Sequence, residues 1–163
     1  MVKTMRVDER LMHGQVAVTW VNSLNISAIL VANDEVAGNE MSKMAIKMVK
    51  PNGINLAIKT VAEGINLLND PRTEDLAILV LVRTVADANE ILKHTSSIDK
   101  INIGGVRKKE GGKLVSPAVY LNQQDLLAVQ EMTQHNIPIE FRMTPADTPK
   151  EAATILKQYL EKE

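Results

Sequence analysis

The sequence predicts an α/β domain in three layers, a central, mostly parallel mixed sheet with helices on both faces. Short apolar, β-branched runs alternate with longer stretches of helical periodicity. This is the pattern of a parallel sheet built through helical crossovers. The run Leu76 to Val82 is apolar throughout, as a strand covered on both faces must be. The length of 163 residues suits one domain over 1–163, since a chain of about 150 residues buries roughly 68–70% of its unfolded surface.

The elements follow in order. A short first strand lies near Lys3 to Arg6, and a helix begins near Gly14. Val16, Trp20 and Leu24 recur along that helix at i, i+4 and i+8, with Ala17 and Val21 beside them. Ile26 to Ala32 is the next strand. Met41, Met44, Ala45 and Met48 form a helical stripe, expected to face the core as gap filler, with a partner-binding surface as the alternative. Asn55 to Lys59 is a strand candidate, and Thr60-Val-Ala-Glu63 after it reads as a capping box. Thr84 caps a helix carrying Ala88, Ile91 and Leu92. Lys100 to Ile103 is a further strand. Gly104-Gly105 and Gly111-Gly112 then bracket a charged stretch that reads as a turn or hairpin, with at least one antiparallel strand to make the sheet mixed. Asn122 caps a helix with Leu126, Val129 and Met132 that ends near Asn136. Pro138 to Arg142 is the last strand candidate. Thr148-Pro-Lys-Glu151 reads as a second capping box with Pro149 at the first helical position, opening a helix that buries Ala152, Ile155, Leu156, Tyr159 and Leu160.

Composition excludes several function classes. Nineteen Lys and Arg against twenty Asp and Glu leave a net charge of −1, without the basic excess of a nucleic-acid binder. Aromatics make up 2%, too few for a base-stacking platform. With no cysteine, disulfides, thiolate nucleophiles and Cys-based zinc sites are absent. The N-terminus has no apolar signal region, and the longest apolar run is far too short to cross a bilayer. These features read as a cytoplasmic protein.

One segment carries chemistry. Arg6-Val-Asp-Glu-Arg-Leu-Met-His-Gly-Gln-Val16 follows the first strand and leads into the first helix. In open α/β sheets the ligand lies beyond the carboxyl ends of the strands. A helix start offers free N–H groups and the positive end of the dipole to an anion. Gly14 lets a backbone approach a ligand. Arg6 and Arg10 add charge suited to phosphate. Asp8 and Glu9 can orient these arginines or fix the imidazole tautomer of His13. The set reads as a histidine beside a phosphate cradle, fit for nucleophilic catalysis through a phosphohistidine. Two alternatives stay open: a non-catalytic anion-binding regulatory module, and a histidine phosphoesterase.

The same eleven residues closely resemble the active-site signature of the sorbose/mannose-family IIB component of the bacterial phosphoenolpyruvate-dependent sugar phosphotransferase system. The resemblance continues through Ala32 to Ala37, Lys50 to Gly53 and Ile101 to Gly105. It implies that His13 is phosphorylated on Nδ1 by a phosphohistidine of the IIA component. It implies delivery of the group to a sugar held by the membrane subunits IIC and IID, from the cytoplasmic face of the membrane. Arg10 then helps hold the phosphoryl group, backbone N–H groups around Met12, Gly14 and Gln15 complete the cradle, and Asp8 is an orienting group. The sugar stays open among mannose, fructose, sorbose and N-acetylgalactosamine, and a homodimer is plausible.

Asn33, Asp34, Gly104 and Gly105 follow strands and are candidates for the site rim, a tight turn being the alternative for the two glycines. His94 and His135 fall near helix ends, where a structural role is expected. The basic segment Arg107 to Lys113 reads as a solvated hairpin tip or a partner contact. No cofactor is implied, and the three histidines lack metal-ligand spacing.

Overall fold

The apolar runs pair with one another in parallel. The computed structural model describes residues 1–161, apart from the side chains of Gln15 and Val16. The Val16 member of the first helical stripe and the Gln15 side chain of the expected cradle thus lie outside the described residues, although the backbone of both belongs to the first helix. Along the described chain the elements are β1 (Val2–Asp8), α1 (Gly14–Leu24), β2 (Ala28–Ala32), α2 (Asp34–Ala37), α3 (Glu40–Met48), β3 (Asn55–Lys59), α4 (Val61–Leu68), β4 (Ile78–Val82) and α5 (Val85–Lys93). After them come β5 (Ile101–Gly105), β6 (Lys113–Ser116), β7 (Val119–Leu121), α6 (Gln123–Thr133), β8 (Ile139–Phe141), β9 (Lys150–Glu151) and α7 (Ala152–Tyr159).

The main sheet has the order β3-β2-β4-β1-β5-β8-β9. Its pairs are parallel except β8 with β9. The β1–α1–β2 connection leads to one side of β1, and β5 lies on the other, so the direction of winding changes between β1 and β5. That divergence opens the crevice where α/β folds place their ligands.

Side chains alternate across the sheet as a period of two demands. In β4, Ile78, Val80 and Val82 join the apolar layer of α4, α5, α6 and α7. Leu79 and Leu81 join the layer of α1, α2 and α3, which contains Trp20 and Ile46. Both layers expected from the sequence are present. So are the caps: Glu63 N–H donates to Thr60 Oγ1 at 3.1 Å and Thr60 N–H to Glu63 Oε1 at 3.0 Å. Thr84 accepts from Asp87 N–H at 3.0 Å, and Asn122 from Asp125 N–H at 2.9 Å.

Three expectations are corrected. The sheet is mixed, but the antiparallel strand is β9, and β6 and β7 form a separate two-stranded sheet. Thr148 does not cap the last helix. Lys150 and Glu151 pair with Phe141 and Glu140 instead, which satisfies the free edge of β8 and delays α7 to Ala152. The methionine stripe faces outward, with Met41, Met44 and Met48 at 82%, 62% and 84% exposure. The reason is Ile46, the buried residue of α3. It lies about 200° around the helix from Met44, so seating it in the core turns the methionines to the surface.

Mild peroxide is expected to convert Met41, Met44 and Met48 to sulfoxides well before Met5, Met12 and Met132, which are buried. Peptide mapping by mass spectrometry checks this, and comparable rates at Met5 or Met132 would contradict the packing.

Candidate functional site

Arg6 and Asp8 are two residues apart on β1 and therefore share one face of the strand. Both are inside the protein, at 2% and 0% exposure. Charges buried this deeply must be paired and hydrogen-bonded. Arg6 Nη2 donates to Asp8 Oδ2 at 3.1 Å. The neighbouring strand makes room for the pair. A Cβ on Gly104 would lie 2.2 Å from Arg6 Nη1, and one on Gly105 would lie 3.0 Å from Asp8 Oδ1. These glycines are inside β5 and form the floor under two charged groups. They are neither an exposed rim nor a turn.

The chain leaves β1 in a tight turn. Glu9 N–H donates to Gly105 O at 2.9 Å, and Leu11 N–H to Asp8 O at 2.8 Å with Leu11 at φ 56°. Leu11 and Met12 are buried in the layer beneath α1 and pin the loop from inside. Arg83 pins it from the next strand end, with Nε donating to Glu9 O at 3.0 Å. Gly14 opens α1 at φ +29°, a backbone that L side chains rarely adopt.

His13 is the N-cap residue of α1, extended at φ −148°, ψ 146°, and its side chain makes no capping bond. The ring turns to Asp8 instead, with Nε2 3.1 Å from Oδ2. Asp8 Oδ1 takes the Arg10 N–H at 3.0 Å, and Arg10 Nε lies 3.6 Å away. Burial alone pushes the Asp8 carboxyl up. The hydrogen bonds from His13 and the Arg10 backbone and the charge of Arg6 outweigh it, holding the carboxyl below the usual carboxylate range. Asp8 is therefore an acceptor, and the His13 proton it meets is on Nε2. In the neutral ring the free lone pair is then on Nδ1.

The expected site residues thus separate into groups. Asp8, Arg10, His13 and the backbone of Met12, Gly14 and Gln15 converge on the loop and helix start. The Arg10 side chain is 51% exposed and the His13 side chain 21%, so both reach solvent. Arg6, expected at the phosphate, lies beneath the loop with its guanidinium taken up by protein partners. Burial lowers its pKa, and the Asp8 charge offsets part of that. Asn33 and Asp34 cap helices: Asn33 accepts from Val36 N–H at 2.9 Å, and Asp34 from Val61 N–H at 2.9 Å. His94 pairs with Glu90 one turn back. Arg107 of the basic segment pairs with Glu9 beside the site, and Lys109 with Asp125. An open groove lined by Glu9, Glu35, Arg83, Arg107 and Lys109 runs alongside. Among the described residues, no three His, Cys, Asp or Glu side chains cluster as a metal site requires.

Known proteins resemble this chain over almost its whole length. Residues 2–163 match the family described as the PTS system sorbose subfamily IIB component, where PTS is the phosphotransferase system. The chain belongs to this family. A probable phosphotransferase enzyme IIB component of Streptococcus pyogenes is 41% identical over 137 residues, covering 81% of this chain and 84% of that one. The mannose-specific EIIAB component of Escherichia coli is 30% identical over 87% of this chain, which spans 44% of that longer protein. The IIBSor domain of the Klebsiella pneumoniae sorbose permease has the same fold, with a TM-score of 0.91 over 98% of both chains at 23% identity. As a sorbose-type IIB component, the protein is a phosphoryl carrier of a sugar phosphotransferase system, in a family that works with IIA and the membrane components IIC and IID. No described helix is long and apolar enough to cross a membrane.

Asn102 and Glu140 were not among the expected site residues, whereas Arg83 is placed by the sequence just after an apolar strand. Asn102 was visible as a lone polar residue within an otherwise apolar or glycine strand. Glu140 carried a fainter signal, a single acid between Ile139 and Phe141.

Asp8→Asn is expected to cost about 3–5 kcal/mol at neutral pH, because it removes the hydrogen-bonded counter-charge of the buried Arg6. Since the folded-state carboxyl titrates below its ordinary value, its contribution is complete above an unfolded pKa of about 3.9 and disappears as pH falls through the lower folded value. Urea unfolding at stepped pH should show the gap between wild type and variant closing on acidification. A gap independent of pH would contradict an ionised Asp8.

Proposed function

We propose that His13 is the carrier, phosphorylated on Nδ1 by the phosphohistidine of a IIA component and dephosphorylated by a sugar held in the IIC and IID subunits. The observation that carries this reading is the hydrogen bond between His13 Nε2 and the ionised Asp8. It holds the proton on the nitrogen away from the reaction and presents the other as the nucleophile. The chain acts as one IIB domain over 1–163, on the cytoplasmic face of the membrane that holds its acceptor.

The steps balance. The Nδ1 lone pair attacks phosphorus, the P–N bond to the donor histidine breaks, and that nitrogen keeps the electron pair. In the second step a sugar hydroxyl attacks, the P–Nδ1 bond breaks, and the hydroxyl proton is released. Such transition states are loose and charge-rich, so positioning and electrostatics carry the catalysis. The backbone N–H groups of Met12, Gly14 and Gln15 and the α1 dipole meet the phosphoryl oxygens. Arg10, anchored at its backbone and with a half-exposed guanidinium beside Asp8, meets the group from the solvent side. Asp8 supports the imidazolium-like charge of the phosphorylated ring. Arg6 stays beneath and orients Asp8.

The sugar is selected by the membrane subunits in this scheme, so mannose, fructose, sorbose and N-acetylgalactosamine all remain compatible.

The test is reconstitution with phosphoenolpyruvate, enzyme I, HPr and a cognate IIA, followed by intact mass. Wild type should gain one acid-labile phosphoryl group that requires IIA, and His13→Ala should gain none. Arg10→Ala should slow the transfer by about 10²-fold, as loss of one charge-stabilising donor does. No gain from a demonstrably phosphorylated IIA would overturn the reading and favour an anion-binding module.

A further inference from the structure

Beneath Asp8 lies a row of polar side chains that phosphoryl transfer does not touch. Arg6, Asn102 and Glu140 are direct cross-strand partners on β1, β5 and β8. All three are buried. Arg6 Nη1 donates to Asn102 Oδ1 and, at 3.5 Å, to Arg142 O. Asn102 Nδ2 donates to Arg142 O at 3.2 Å and to Glu140 Oε2 at 3.5 Å. Glu140 pairs with Arg142 and, at 2.9 Å, with Lys100. Trp20, the one tryptophan, lies against both arginines, with Arg6 and Arg142 5.3 and 5.4 Å from its ring centroid. Its indole N–H donates to Met143 O at 3.0 Å.

Stability alone does not ask for this row. Well-packed apolar side chains in place of buried ions are often neutral or stabilising. The row does have a geometric consequence. Asp8 Oδ2 is shared between Arg6 Nη2 and His13 Nε2, each at 3.1 Å. A tilt of the Arg6 guanidinium moves the oxygen that fixes the His13 tautomer. Asn102 holds one end of that guanidinium, Trp20 its face, and Glu140 with Arg142 holds Asn102. We infer that Asn102, Glu140, Arg142 and Trp20 are positioning residues for His13, acting through Arg6 and Asp8 to keep the imidazole proton on Nε2. The consequence for rate rests on the phosphohistidine reading; the consequence for the tautomer does not.

The experiment uses the full chain carrying Asn102→Leu, which keeps the volume and removes both the acceptor and the donor. Nitrogen-15 NMR of the histidine rings reads the fraction of neutral His13 protonated on Nε2, and steady-state transfer from phospho-IIA reads kcat and KM separately. The tautomer fraction should fall well below that of wild type. The kcat should drop at least tenfold, consistent with the ~10²-fold cost of a 1 Å misplacement, while KM stays within about twofold. The double change Asn102→Asp with Glu140→Gln keeps an acceptor on Arg6 and a hydrogen bond between the two positions, and should restore most of both. If Asn102→Leu does not fold, Glu140→Gln alone should shift the tautomer in the same direction. A wild-type tautomer fraction in the folded variants would overturn the inference, whatever happens to their thermal stability. Failure of wild type itself to accept phosphate would count against the phosphohistidine reading and leave the tautomer measurement to decide this one.

Discussion

Two opposite charges sit side by side on the central strand, and much of the molecule is arranged around keeping them there. The Arg6–Asp8 pair is costly to bury and more costly to break, so the fold must supply every remaining hydrogen bond. The neighbouring strand gives up two side chains, at Gly104 and Gly105, so that a guanidinium and a carboxylate fit against its backbone. The loop after β1 turns back at once so that the Arg10 N–H reaches Asp8. His13 leaves its helix uncapped so that its ring reaches the same carboxylate.

This arrangement stands beyond the ends of β1 and β5, where the winding of the sheet diverges and α/β folds open a crevice. Apolar chemistry positions the polar site. Leu11 and Met12 anchor a loop that is otherwise charged, and Arg83 ties its Glu9 carbonyl to the end of β4. What remains exposed is what a carrier needs to present to successive partners: the histidine edge, a half-exposed Arg10 guanidinium, and the N–H groups of a helix start. The rim is charged on both sides, with Glu9 and Glu35 facing Arg83 and Arg107. Such a surface supports fast, reversible encounters steered by charge.

Most of the layering was legible because it rests on local rules. β4 reads as a fully covered strand, Thr60 announces its helix by the spacing of cap and acid, and Thr84 and Asn122 announce theirs as cap residues ahead of an apolar helical stripe. The loop after β1 was legible as the candidate site from its residue types, and His13, Asp8 and Arg10 do meet. The rest depends on contacts distant in sequence. Lys150 and Glu151 look like the first turn of a helix until the open edge of β8 claims them. The methionines of α3 look like a core stripe until Ile46, a single residue on the other side, takes the inward position. Arg6 looks like a phosphate ligand because its type suits one. Only the pairing of β1 with β5, almost a hundred residues later in the chain, shows that Asn102 and Asp8 already engage it.

In the proposed function Asp8 holds the His13 proton on Nε2 and so makes Nδ1 the atom that carries phosphate. The most direct measurement is the one-bond phosphorus–nitrogen coupling in nitrogen-15-labelled protein phosphorylated through its IIA partner. Coupling is expected to Nδ1 of His13, with Nε2 protonated and bonded to Asp8. Coupling to Nε2, or phosphate on any other residue, would contradict it.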